Sequence, residues 1–180
     1  MTYLALLRGI NVSGHHIIKM DVLVKMMQQI GFHNVNTYIQ SGNVFFETDN
    51  QNPQSISFTI KQEIYKQFGY DVPVIIVTQS SIQKCLANNP FLKEKNIDTK
   101  KLYVAFISKK LDTNAINDLK TSQFKPDEAV IDEDKIYLKL ETGAGKTKLT
   151  QKYIEKKLHV EATTRSWNTI LNLLELYKKH

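Results

Sequence analysis

The sequence of 180 residues has little cysteine, tryptophan, proline or glycine: one Cys, one Trp, four Pro and seven Gly. The single cysteine, Cys85, has no partner for an intrachain disulfide, which excludes a disulfide scaffold and is typical of a reducing cytosol. The apolar run near the start, Tyr3 to Leu7, is far shorter than the roughly 20 residues of a membrane span and too short for a signal-peptide core. Hydrophobic residues make up 42% of the chain, which excludes a disordered protein. We therefore expect a globular, cytoplasmic protein without a membrane segment.

Arginine is scarce as well, because Arg8 and Arg165 are the only arginines among 24 basic residues. The net charge is +6, and residues 142–180 supply +5 of it, with eight basic and three acidic side chains. A lysine-rich segment of this kind is typical of a solvated helical face. The alternative interpretation is a basic surface that binds a polyanion.

Hydrophobic periodicity predicts the order β-α-β-β-α-β in each half of the chain, followed each time by one more helix. In the first half, strands are predicted at residues 2–7, 35–39, 44–47 and 72–77, and helices begin at Asp21, at Asn52-Pro53 and at Ser80-Ser81. In the second half, strands are predicted at residues 101–107, 129–131, 136–140 and 162–164, and helices at 113–121, 149–158 and 166–177.

Two short matches indicate an internal repeat. Tyr3–Leu7 and Tyr103–Ile107 agree in character at every position, and Thr78-Gln79-Ser80 is similar to Thr164-Arg165-Ser166. We therefore predict an α+β fold of two tandem ferredoxin-like units, each with an appended helix. The predicted boundaries are residues 1–90 for the first unit, 91–100 for a connector and 101–180 for the second unit.

The two arginines are the first candidates for ligand binding. Each is expected to follow a strand directly and to open an Arg-x-x-Asn pattern, which ends at Asn11 for Arg8 and at Asn168 for Arg165. A guanidinium group offers a rigid pair of donors suited to phosphate or carboxylate. The alternative is a structural arginine that pairs with a carboxylate or a carbonyl across the interface of the two units.

A glycine-rich turn at residues 143–148 is the second candidate. Gly143-Ala144-Gly145-Lys146-Thr147 resembles the end of a phosphate-binding P-loop, but Leu140 stands where that motif needs glycine, so a nucleotide-triphosphate site is excluded. What remains is a turn between a strand and a helix, whose N–H groups could hold an anion. A flexible loop with solvated lysines is the competing interpretation.

Chain order groups these residues into two patches. In a β-α-β-β-α-β sheet the first strand is parallel to the second and the third to the fourth, so the loops that follow them share sheet edges. The candidate ligand-binding residues are Arg8, Asn11, Lys19, Ser41 and Asn43 in the first unit and Lys146, Lys148, Arg165 and Asn168 in the second. Whether the two patches meet in one cleft is not determined by the sequence.

Signals for catalysis are weak. The neighbouring His15 and His16 have no further ligand at metal spacing, so we expect no metal site and no cofactor. Cys85 falls on an apolar helix face and is expected in the core. No serine has a nucleophile-elbow pattern.

Six sequence blocks resemble the bacterial domain-of-unknown-function 1697 family. They are Ala5–Val12, Lys19-Met20, Tyr38–Val44, Asn89-Pro90-Phe91, Gly143 to Leu149, and Thr164–Thr169. The resemblance spans nearly the whole chain and implies a cytoplasmic bacterial protein with two α+β subdomains and no established activity. The chain has Ser13-Gly14 where the family usually has Gly-Gly, and Ser166 where it usually has Asn, so no role of an amide at 166 is implied.

These observations favour a non-catalytic protein that binds a phosphate-bearing ligand, with nucleic acid as the expected partner. The strands nevertheless lack the aromatic pattern of sheets that bind RNA. The alternatives are a small-molecule enzyme that acts on an anionic substrate at the first patch, and a protein–protein interaction domain.

Overall fold

The computed structural model describes residues 1–12, 14–111 and 114–179. Over these ranges the predicted α+β class is confirmed, and the strands form two four-stranded antiparallel sheets. Contacts between residues divide the chain into unit 1, Met1–Ile82 with Leu173–His180, and unit 2, Gln83–Asn172. None of the helices within the described ranges has the length and apolar content needed to cross a membrane.

Unit 1 contains the first sheet and the helices between its strands. Its strands are β1 (Thr2–Leu7), β2 (His33–Tyr38), β3 (Asn43–Glu47) and β4 (Val74–Val77), in the spatial order β2-β3-β1-β4. Its helices are α1 (Met20–Gln29) and α2 (Pro53–Phe68), and α3 (Gln79–Asn88) begins here and continues into unit 2. The predicted start of α2 agrees with its cap, because the Asn52 side chain accepts from the N–H groups of Gln54 and Ser55.

Unit 2 repeats this order. Its strands are β5 (Leu102–Ile107), β6 (Glu128–Asp132), β7 (Lys135–Lys139) and β8 (Ala162–Ser166), in the spatial order β6-β7-β5-β8. Its helices are α4 (Ala115–Asp118), α5 (Gln151–Leu158) and the first half of α6 (Trp167–Tyr177), with short 3-10 helices at Pro90–Lys93, Thr99–Lys101 and Thr121–Phe124.

Several predicted bounds in unit 2 differ from the structure. The helix predicted at 113–121 is α4 followed by a 3-10 turn; its first predicted residue, Thr113, lies outside the described residues. Helix α5 begins two residues later than predicted, because Thr150 caps it by accepting from the N–H of Tyr153. Strand β8 runs two residues longer than predicted, and it pairs with β5 as far as Ser166.

Both faces of the unit 1 sheet are buried. On one face, Tyr3, Ala5 and Leu7 pack in a core with residues of α1 and α2. The opposite face carries Leu4 and Leu6, each with 0% exposure. Residues from the end of α6 pack in this unit: the Tyr177 ring lies edge-on to Phe45, 4.9 Å between centroids, and its hydroxyl donates to the Val77 carbonyl at 2.9 Å.

The unit 2 sheet is buried in the same way. Ala105 and Ile107 pack in a core with Ile154 and Leu158 of α5. On the other face, Tyr137 is fully buried, and its hydroxyl donates to the Cys85 carbonyl of α3 at 3.1 Å. Burial raises the pKa of this tyrosine, so it stays protonated as a donor.

Two helical segments thus belong to units other than those predicted. Residues 83–90 were expected in the first unit and pack in unit 2, whereas residues 173–180 were expected in the second and belong to unit 1. The physical reason is the burial of both sheet faces, since a sheet of this kind needs a second apolar layer.

The pairing registers refine the expected repeat. Ala5 lies opposite Val44 and Ile76, and Ala105 lies opposite Ile136 and Thr164, so Ile76 corresponds to Thr164. Thr78 therefore corresponds to Ser166 and not to Thr164. The caps agree with this shift, because the Thr78 hydroxyl accepts from the N–H of residue 81 and the Ser166 hydroxyl from that of residue 169. Serine is a good N-cap residue, which agrees with the position of Ser166 directly before α6.

Candidate functional site

In unit 1 the loop after β1 is tied to the turn before β3 by Asn11. The Asn11 amide donates to the carbonyls of Ile18, at 2.9 Å, and Gln40, at 3.1 Å, and its oxygen accepts from the N–H of Ile18 at 2.9 Å. Its backbone has a φ of 55°, a left-handed conformation that asparagine tolerates better than most residues. The side chain is therefore used to hold the two loops together.

The same loop and turn meet at Gly42. The N–H of Leu7 donates to the Gly42 carbonyl at 2.7 Å, and Gly42 has a φ of 74°. A Cβ added at this position would lie 2.7 Å from the Leu7 Cβ and 3.0 Å from two carbons of Ile10. Glycine is required here both for its conformation and for space.

The remaining predicted residues of unit 1 lie around this junction. Asn43 is buried, and its amide donates to the Tyr38 carbonyl and to the Ser41 hydroxyl. Arg8 is half-buried directly after β1, with its N–H bonded to the Pro73 carbonyl. Lys19 is exposed at the start of α1. The structure thus brings Asn11 next to the 40–43 turn, and it uses both asparagines for internal hydrogen bonds.

An exposed and strained isoleucine adjoins this junction. Ile39 has a φ of 52° and is 50% exposed, an unusual conformation for a β-branched residue. Val12 and Ile17, on the loop that Asn11 holds, are 54% and 55% exposed. Strained residues of this kind cluster at binding sites, so the junction is still a candidate binding site.

In unit 2, Arg165 occupies a place different from that expected. It lies inside β8, opposite Val104 of β5, and is 8% exposed. One guanidinium nitrogen donates to the Thr163 hydroxyl at 2.7 Å and to the Thr164 carbonyl at 3.1 Å. Burial lowers the pKa of Arg165 to about 10, which leaves it charged at neutral pH. The prediction that Arg165 follows the strand is wrong, and its burial matches the structural interpretation of this arginine.

The glycine-rich loop holds a carboxylate of the chain itself. The buried Asp127 side chain accepts from the N–H and the hydroxyl of Thr142, at 2.8 and 2.6 Å, and from the hydroxyl of Thr147 at 2.6 Å. The N–H groups of Lys146 and Thr147 donate to the Gly143 carbonyl. Because α5 begins only at Gln151, the loop does not lie at the first turn of a helix. Two hydroxyls and one N–H thus bond an internal carboxylate, and two further N–H groups of the loop bond the Gly143 carbonyl.

The pKa of Asp127 records this arrangement. Burial alone raises the pKa of a carboxyl group, but the hydrogen bonds from Thr142 and Thr147 outweigh that effect and lower it below its ordinary value of 3.8. The ionised carboxylate therefore stabilises the folded loop. Sequence reasoning missed Asp127, which lies 15 residues before its first partner.

The other predicted residues of unit 2 differ from Arg165 in exposure. Lys146, Lys148 and Asn168 are exposed, Asn168 as the second residue of α6. Two further lysines, Lys135 and Lys139, are buried on the sheet: the first pairs with Asp134 at 2.7 Å, and the second with Glu94 and Glu128 at 2.8 and 2.6 Å.

An open cleft of about 480 Å³ lies beside the C-terminal end of α5. We call it the α5 cleft, and it is lined by Asp118, Lys120, Lys156, Lys157 and His159. All five residues are exposed. The sequence shows Lys156 and Lys157 as part of a basic segment, but only the contact between α4 and α5 brings Lys120 to the same place.

The described residues contain no group of three or more His, Cys, Asp or Glu side chains that could hold a metal ion. Cys85 is buried as expected, and burial raises the pKa of its thiol to about 12. A thiol with this pKa is almost entirely protonated at neutral pH and is a poor nucleophile.

The comparisons with known proteins agree with this fold. A family model described as "Protein of unknown function (DUF1697)" matches residues 1–137. Among solved structures, the conserved bacterial protein SP0830 from Streptococcus pneumoniae is similar, with a TM-score of 0.71 and 20% identity over 98% of each chain. At this identity the likeness shows the fold alone. No curated protein matches the sequence.

The junction in unit 1 predicts a difference between two glycine substitutions. Gly42→Ala and Gly69→Ala both place alanine at a similar positive φ, 74° and 72°, but the Cβ at residue 69 meets nothing within 4 Å. We expect Gly42→Ala to lower the free energy of unfolding by about 1–3 kcal/mol more than Gly69→Ala, the usual cost of overpacking. Urea denaturation of both variants measures this difference, and equal losses would show that the clash is absent.

The Asp127 network predicts a dependence of stability on pH. Because the folded-state pKa lies below the ordinary value, the stabilisation is present above about pH 4 and is lost as the pH falls through the folded-state pKa. At pH 7 we expect Asp127→Asn to lower the free energy of unfolding by about 1.5–3 kcal/mol, the range for hydrogen bonds to a charged group. Urea denaturation between pH 3 and pH 7 measures the effect.

The control for this experiment is Asp49→Asn, which removes a carboxylate at an exposed position. The gap in stability between Asp127→Asn and the wild type should narrow on acidification, whereas Asp49→Asn should stay close to the wild type throughout. The same pH profile for both variants would contradict the role given to Asp127.

Proposed function

The chain belongs to the DUF1697 family of proteins of unknown function, and we propose that its unit 2 binds a phosphate-bearing ligand without catalysis, nucleic acid being the favoured partner. The observation that carries the proposal is a set of four exposed lysines in this unit. Lys146, Lys148, Lys156 and Lys157 are all exposed. Within the described residues, no ion pair takes up any of these four lysines.

Exposed lysines that form no ion pair among the described residues suit a polyanion. Each lysine that neutralises a phosphate releases a condensed counterion into the bulk solution. This release supplies much of the binding free energy, which therefore weakens as the salt concentration rises. Such contacts tolerate many sequences, because a lysine ammonium acts as a point charge and does not read the bases. The proposal therefore concerns binding of limited sequence specificity.

Arg165 is left out of the proposed surface. An arginine with 8% exposure inside a strand is poorly placed to contact a phosphate, and its guanidinium bonds to Thr163 and Thr164. We propose that its charge serves the packing of unit 2.

A second candidate function is binding of a small anionic molecule at the unit 1 junction, as part of an enzyme or a receptor. The observation in its favour is the positive φ of the exposed Ile39, next to the loop that follows Arg8. The internal use of Asn11 and Asn43 leaves fewer groups for a ligand there, so we rank it second.

We also propose that both units are ferredoxin-like and arose by duplication of one β-α-β-β-α-β segment. The proposal is supported by the matching strand orders, by the corresponding registers of β1 and β5, and by the equivalent helix caps at Thr78 and Ser166.

The test of nucleic-acid binding is the salt dependence of affinity for a labelled single-stranded RNA. We expect micromolar affinity at 50 mM salt and a linear fall of log K with log salt. Lys146→Ala and Lys148→Ala should each lower the salt slope by about 1, the change that corresponds to one lost phosphate contact. Fluorescence anisotropy at several salt concentrations measures the slope.

The matched control is Lys25→Ala, which removes one exposed lysine from α1 of unit 1. This variant should keep the slope of the wild type. Absence of binding at low salt, or an equal loss of slope in all three variants, would overturn the proposal that unit 2 is a nucleic-acid surface.

A further inference from the structure

The α5 cleft concentrates positive charge in a concave site. Three lysines and one histidine line it against a single carboxylate, Asp118, so its net charge is +2 with His159 neutral. Cationic groups gathered in a concavity raise the local concentration of anions more than the same charges on a convex surface do. The cleft volume of about 480 Å³ lies within the range of small-molecule sites.

Two of the lining residues have a left-handed backbone. Lys120 has φ and ψ of 43° and 49°, and His159 has 51° and 51°. Glycine is the residue that adopts this conformation most cheaply, and it is the usual residue where a helix ends in this way. At both positions this chain instead carries a basic side chain that lines the cleft.

The two walls of the cleft are joined by Tyr153 of α5. Its hydroxyl donates to the Leu119 carbonyl at 2.9 Å and accepts from the Gln123 amide at 2.9 Å. The ring packs edge-on against Phe124, and the Lys157 ammonium lies 5.9 Å from the ring centroid. The segment around Lys120 is thereby held against α5, and the basic groups face a preformed space.

From these observations we infer that the α5 cleft binds the polyphosphate group of a small ligand, an inference that rests on the proposed binding of phosphate-bearing ligands by unit 2. Lysine ammonium groups, which are compact point charges, suit the several oxygens of a flexible di- or triphosphate. Among the described residues, the cleft lining contains no Phe, Tyr or Trp ring, and the imidazole of His159 is its one ring, so we assign recognition to the phosphates. The chemistry is shared by inorganic polyphosphate and by the phosphate end of a nucleotide.

A purely structural role explains the basic residues on only one wall of the cleft. Lys156 and Lys157 lie in the last turn of α5, where basic side chains interact favourably with the helix dipole. That explanation does not account for Lys120, which lies on the other wall beyond α4. If the lysines have only this structural role, their replacement should lower stability and the wild-type protein should not bind polyphosphate. Binding by the wild type therefore separates the two explanations.

The experiment is isothermal titration calorimetry with sodium tripolyphosphate at 50 mM salt and pH 7. The variants are Lys120→Gly, Lys157→Ala and the double variant. Lys120→Gly removes a cation at a position where glycine suits the backbone, so folding should be kept, and circular dichroism checks this. We expect each single variant to bind about two- to five-fold more weakly, the range for exposed charge pairs, and the double variant about four- to 25-fold.

Two controls remove the same features outside the cleft. Lys152→Ala takes an exposed lysine from the first turn of α5, and Asn96→Gly relieves another left-handed residue, with a φ of 60°. Both should keep the affinity of the wild type. No heat of binding with the wild type, or an equal weakening by Lys152→Ala, would overturn the inference.

Adenosine triphosphate and a short RNA without a terminal phosphate form the other arms of the test. Equal affinities for tripolyphosphate and the nucleotide would support recognition of the phosphates alone. Stronger binding of the nucleotide would identify a nucleotide as the ligand that carries the phosphate group. Tripolyphosphate binding in the cleft without RNA binding would support the inference and contradict the nucleic-acid proposal. RNA binding that depends on Lys146, without tripolyphosphate binding that depends on the cleft lysines, would support the nucleic-acid proposal and contradict the inference about the cleft.

Discussion

Burial of both faces of each sheet is the constraint on which the rest of the structure depends. The residues from Tyr3 to Leu7 on β1 are all 2% exposed or less, and β5 is buried nearly as completely. Antiparallel sheets commonly leave one face to solvent, but here residues 3–7 of β1 and 102–107 of β5 are all apolar. Each large apolar side chain contributes about 1.5–3 kcal/mol when it is fully buried, so the second face also needs a cover. The end of α6 in unit 1 and α3 in unit 2 belong to that second layer.

This constraint also decides which charges are available for function. Side chains on a covered face need internal partners: Lys139 pairs with Glu94 and Glu128, and Arg165 bonds to Thr163 and Thr164. The Gly-rich loop is occupied in a similar way by the carboxylate of Asp127. Exposed lysines of unit 2 include Lys146 and Lys148 in a loop and Lys156 and Lys157 on α5, which is where we place the proposed ligand contacts.

Most of the fold could be predicted from the sequence because apolar periodicity directly reflects burial. The presence of the eight strands and of α1 follows from such patterns, and the ends of α2 follow from its caps, Asn52 and Gly69. The bounds of β8 could not be predicted in this way, since Arg165 and Ser166 are polar and only the pairing with β5 places them in a strand. The membership of residues 83–90 and 173–180 depends on contacts between distant segments, which no local pattern records.

Only part of the candidate site could be predicted from the sequence. The junction of Asn11 with the 40–43 turn follows from chain order, whereas the α5 cleft requires Lys120 to meet α5 through Tyr153.

The assignment of a polyphosphate site to the α5 cleft can be tested by a two-dimensional ¹⁵N–¹H NMR titration of the wild-type protein with tripolyphosphate. We expect the largest amide shifts at residues 118–120 and 156–159 of unit 2. Shifts centred on the loops around Arg8 and Ser41 of unit 1, or none at all, would contradict the assignment.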